Sequence, residues 1–106
     1  MTASKPLDAL TAARLLSDRQ ADICALGVER LALFGSVLRD EARADSDVDL
    51  IVQFLPGQKT LDRFMALYDL LEDCLGTKVE LITTDSLSPY IGPRILAEAR
   101  DVVRAA

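Results

Sequence analysis

An α+β fold, a small mixed β-sheet with helices packed on one face, is what the sequence predicts, and three observations predict it. Short runs rich in β-branched residues read as strands at 29–34, 47–54 and 78–83. Between and around them, apolar residues recur at three- and four-residue intervals, the period of a helix with one buried face. The resulting order (helix, strand, short motif, strand, helix, strand, helix) suits a mixed sheet covered on one side. With 106 residues, half of them hydrophobic, the chain is expected to form one domain over 1–106 with a single core.

Each element has its own local signals. A first helix is expected over 7–26, behind Pro6, with a break near Ser17 and Asp18 and a stop at Gly27. Leu31 to Phe34 reads as a buried strand that Gly35 ends, and Ser36 suits the N-cap of a short helical segment through Val37, Leu38 and Arg39. In the second strand Val48, Leu50 and Val52 make one apolar face, so Asp47 and Asp49 begin the opposite one. Pro56-Gly57 signals a turn, and Thr60 can cap a helix whose stripe runs through Leu61, Phe64, Met65, Tyr68, Leu71 and Leu75 to a stop at Gly76. In the third strand Val79 and Leu81 point to the core and Glu80 away from it. Pro89 or Pro93 opens a last helix around 91–99, and 101–104 reads as a short strand or a fraying tail.

The chemistry concentrates in Gly35-Ser36 and, ten residues on, Asp47-Val48-Asp49. Two aspartates at strand spacing share a face and can hold one metal site, and magnesium commonly takes one or two carboxylates, leaving the rest of its shell to water and phosphates. Strand, glycine and helix start make phosphate-binding geometry, because a residue without Cβ lets the backbone approach closely. Arg39 and Arg43 add permanent charge that forks onto phosphate oxygens. Taken singly, each feature has an ordinary reading: a solvated acidic turn, a strand-to-helix turn, surface ion pairs worth under about 1 kcal/mol. A calcium loop does not fit, since Leu50 and Pro56 stand where it needs glycine and glutamate. An aspartyl phosphatase does not fit either, because the apolar strand follows the aspartates instead of preceding them.

The stretch from Gly35-Ser36 through Arg39 and Arg43 to Asp47-Val48-Asp49-Leu50-Ile51-Val52 resembles the signature of the minimal nucleotidyltransferases in the DNA polymerase β superfamily, in particular the MntA-type antitoxins. The resemblance runs from about Leu26 to the C-terminus. It implies a single-domain nucleotidyltransferase fold, transfer of AMP from ATP to a hydroxyl, two Mg2+ ions, and a third carboxylate delivered by Glu80. In that reading Asp47, Asp49 and Glu80 hold the metals, and Gly35, Ser36, Arg39 and Arg43 hold the phosphates. It also implies a cognate HEPN-type RNase toxin as partner, in a hetero-oligomer, with a tyrosine as acceptor. The sequence departs from the family pattern at Leu38 and Asp40, where relatives have small residues, and at Glu80, where aspartate is commoner and the oxygens sit one methylene closer to the backbone. Two other readings stay open: an antitoxin that neutralises by contact alone, and an enzyme acting on a small molecule such as an aminoglycoside, although 106 residues leave little room for a second substrate domain.

Composition narrows the classes further. No histidine is present, which removes histidine base catalysis and zinc sites of the usual kind, and Cys24 and Cys74 read as reduced, buried thiols. A net charge of −5 disfavours direct nucleic-acid binding and suits a basic protein partner. No apolar run approaches the ~20 residues a membrane span needs, so a cytoplasmic location is expected.

Overall fold

The computed structural model describes residues 7–39, 41 and 47–105. Two short helices open the chain, α1 (Ala9–Asp18) and α2 (Gln20–Ala25). Asp8 caps α1 by accepting the Thr11 amide at 2.7 Å, and the break expected near Asp18 falls at Arg19. Gly27, at φ +86°, then turns the chain into β1 (Val28–Phe34). A four-residue helix α3 (Gly35–Leu38) precedes β2 (Val48–Phe54). Helix α4 (Leu61–Leu75) starts at Thr60, whose hydroxyl accepts the Arg63 amide, and stops at Gly76 in the left-handed region, both as the sequence predicts. Strand β3 (Val79–Thr83) leads through a 3-10 turn (Thr84–Ser86) to α5 (Gly92–Glu98) and β4 (Arg100–Arg104), so the final segment is a strand and not a fraying tail.

The sheet has four strands in the order β3-β2-β1-β4. β1 runs antiparallel to both β2 and β4, whereas β3 lies parallel to β2. A parallel neighbour demands a crossover, and α4 supplies it. One face of the sheet carries Leu31 and Leu33, Leu50 and Val52, Leu81, and Val103, which form a single core with Ala12 and Leu16 of α1, Ile23 of α2, and Leu67, Leu71 and Leu75 of α4. Full burial of a leucine of this kind contributes about 1.5–3 kcal/mol, so this layer is what holds β2 and β3 side by side. Strand alternation sends Asp49 and Glu80 to the opposite face.

Three expectations need correction. Ser36 does not cap α3: the N-cap position is Phe34, no side chain caps the helix, and Ser36 lies inside it. The positive φ of Gly35, +78°, already turns the chain, so the helix begins two residues earlier. The buried stripe of α4 is centred on Leu67, Leu71 and Leu75, with Phe64 and Tyr68 packed at its margin and Leu61 and Met65 exposed. Cys24 and Cys74 are free thiols but only half-buried.

Candidate active site

Asp49 sits at the centre of the site because three strands bring it there. In β2 its neighbours Val48 and Leu50 are buried in the core, which turns the Asp49 carboxylate to the open face. Across the antiparallel ladder it is registered with Phe34, the last residue before Gly35; across the parallel ladder it is registered with Glu80. Adjacent strands lie about 4.8 Å apart, so the two acidic side chains rise next to each other. Asp47, two residues before Asp49 and just ahead of the strand, is exposed, as is Glu80.

Gly35 is tied to Asp49 by sterics. A Cβ on Gly35 would stand 2.1 Å from Oδ2 of Asp49, so only glycine admits the carboxylate in this position, quite apart from its positive φ. Close approach of the backbone is thus required by the protein's own acid.

The electrostatics follow from this crowding. Burial, then the charges of Glu80 and Asp47, push the Asp49 carboxyl up from 3.8 to about 6, and the charge of Arg39 offsets only part of this. Among the described residues no hydrogen bond or ion pair reaches the carboxylates of Asp47, Asp49 or Glu80. Some acids elsewhere are paired: Asp22 with Arg19, Asp85 with Lys59, and Asp101 with Arg30 and Arg104. Asp49 and Glu80 side by side, with Asp47 just ahead of the strand, provide hard oxygen donors and excess negative charge of the kind that suits Mg2+. Among the described residues no three such side chains stand close enough to enclose an ion.

Beside Gly35 stands a residue that sequence reading missed. The Gly35 N–H donates to Oε1 of Glu98 at 3.0 Å, and Nη1 of Arg39 lies 3.0 Å from both Glu98 oxygens. Nε of Arg39 donates to Glu41 at 2.8 Å. The Gly35 amide first, and Arg39 after it, hold the Glu98 carboxyl below its ordinary range. Glu98 ends a helix 63 positions from Gly35 and has no local motif, so nothing in the sequence announces it. Arg43 lies outside the described residues.

Residues 22–105 match the polymerase β nucleotidyltransferase family. The chain belongs to this family. It is a nucleotidyltransferase, with the single-domain mixed-sheet fold expected of one. A protein of Methanocaldococcus jannaschii, provisionally named a protein adenylyltransferase, is 42% identical over 77 residues, 73% of this chain and 82% of its own. The protein adenylyltransferase MntA of Thermococcus cleftensis is 40% identical over 72 residues, 68% of this chain and 72% of its own. A solved structure described provisionally as a minimal nucleotidyltransferase superposes with a TM-score of 0.75 at 38% identity, covering 89% of this chain and 95% of that one. The nucleotidyltransferase also shares its fold, at 17% identity and a TM-score of 0.61, with a chain from a complex of tri-AMPylated Shewanella oneidensis HEPN toxin with MNT antitoxin, covering 88% of this chain and 73% of that one.

Proposed function

We propose that this nucleotidyltransferase transfers AMP from ATP to a tyrosine hydroxyl of a cognate HEPN-type RNase toxin, silencing it, and that residues 1–106 act as one catalytic domain. The observation that carries the reading is the registered pair Asp49–Glu80, with Asp49 packed against Gly35. The protein-adenylyltransferase names of the relatives and the toxin assembled with the Shewanella fold neighbour support the acceptor.

Asp47 and Asp49, with Glu80 beside them, would hold Mg2+, which when bound neutralises charge on the reacting phosphate oxygens. Asp49, raised to about 6, is mostly ionised near neutral pH and ready to ligate. The Gly35 amide and Arg39 bind the β- and γ-phosphates, with Ser36 and Arg43 as further contacts, and so orient the α-phosphorus. The Glu80 carboxylate receives the acceptor hydroxyl proton as the new oxygen–phosphorus bond forms. The bond to the β-phosphate breaks in line, and the pair of electrons leaves with pyrophosphate. Placement and charge neutralisation supply most of the rate.

The test is mass spectrometry of the toxin after incubation with the enzyme, ATP and Mg2+. A gain of about 329 Da per AMP unit is expected, and Asp47→Asn combined with Asp49→Asn abolishes it. Survival of both transfer and toxin neutralisation in that double variant would sink the enzymatic site. Neutralisation without transfer would identify binding as the mechanism.

A further inference from the structure

Helix α5 ends directly over the turn that follows β1, and its last residue engages that turn. The carboxylate of Glu98 takes up the Gly35 N–H and bridges to Arg39, each at 3.0 Å. Beside this contact lies a groove of about 380 Å³ lined by Phe34, Gly35, Arg39, Ile91, Arg94 and Glu98, among others. One backbone N–H together with one guanidinium is a donor set that serves a carboxylate and a phosphate oxygen alike. The Gly35 N–H has a single proton to donate, so a nucleotide phosphate and Glu98 cannot both receive it well.

We propose that Glu98 is an internal stand-in for the nucleotide's phosphate tail: it keeps the Gly35 amide and Arg39 engaged until a triphosphate displaces it, and so sets affinity for the tail. The proposal rests on the nucleotide site described under the proposed function. Arg94 stands four residues before Glu98 and lines the same groove. Residues at that spacing are neighbours on a helix surface, which gives the displaced carboxylate a second cation to pair with. Exchange from Arg39 to Arg94 therefore avoids stranding an unpaired charge. About a third of the Glu98 side chain is exposed, which leaves room for that movement.

Glu98→Gln keeps the shape and the acceptor oxygen but removes the charge that competes with phosphate. Calorimetric titration of the full chain with ATP and, separately, with pyrophosphate in Mg2+ should show both dissociation constants falling about fivefold or more, as expected when a neutral hydrogen bond replaces a charge-assisted one. Glu98→Ala should move both in the same direction, and circular dichroism verifies that each variant is folded. An unchanged or raised Kd for ATP in the folded variants overturns the proposal and makes Glu98 an anchor that orients Arg39 for binding. If neither wild type nor variant binds ATP or pyrophosphate, the nucleotide site itself is wrong and this role falls with it.

Discussion

Asp49 carries the sharpest consequence at the scale of single residues. Its folded pKa of about 6 exceeds the ordinary 3.8, so the folded chain binds this proton more tightly than the unfolded chain does. The destabilising effect of its charge is therefore absent below about pH 4, grows as pH rises, and is complete above about pH 6. Asp49→Asn should accordingly raise the melting temperature of the metal-free protein by several degrees near about pH 8, or about 1 kcal/mol once solvent screening is allowed for. Near about pH 4 the two proteins should melt together. Equal melting temperatures at both pH values would refute the account in which burial and neighbouring acids penalise the Asp49 charge. The identity of this residue was legible in the sequence, since strand alternation places Asp47 and Asp49 on one face. Its burial was not, and Glu80 was grouped with it only through the family resemblance, because both depend on which strand lies alongside.

Among the elements, the turn from β1 into α3 is tightly constrained. Gly35 combines φ +78° with a Cβ position 2.1 Å from Asp49 Oδ2. Gly35→Ala should lower stability by more than about 1 kcal/mol, read as a lower urea midpoint, and should abolish AMP transfer in whatever fraction stays folded. A variant with wild-type stability and transfer would show that Asp49 readily vacates the space. The helices show where local pattern misleads. In α4 two apolar stripes overlap: Leu61, Phe64, Met65 and Tyr68 on one, Leu67, Leu70, Leu71 and Cys74 on the other. Periodicity identifies the helix and Thr60 and Gly76 its ends, but not which stripe meets the sheet. Packing selects Leu67 and Leu71, while Leu61 and Phe64 line a groove beside the edge strand β3. Ser36 was misassigned for a related reason, because the positive φ of Gly35 starts the helix before a hydroxyl cap is needed.

For the molecule as a whole, charge and topology matter most. A net charge of −5 repels a polyanion, and Arg39 is already engaged by Glu98 and Glu41. The isolated chain should give no shift of duplex DNA in a gel assay even at about 50 mM salt, where counterion release favours binding. A salt-sensitive shift would point to a basic surface outside the described residues. No helix among the described residues is long and apolar enough to cross a membrane. Local pattern sufficed for the α+β class, the strands, the caps of α4, and the acids and glycine of the motif, since alternation and turn chemistry act within a few residues. The resemblance already grouped Glu80 with Asp49, but their register, the fit of Asp49 against Gly35 and the reach of Glu98 to the Gly35 amide come only from the folded chain. Register across the parallel ladder and the return of α5 are set by a core that joins distant segments, and no short stretch of sequence encodes a contact between residues 63 positions apart.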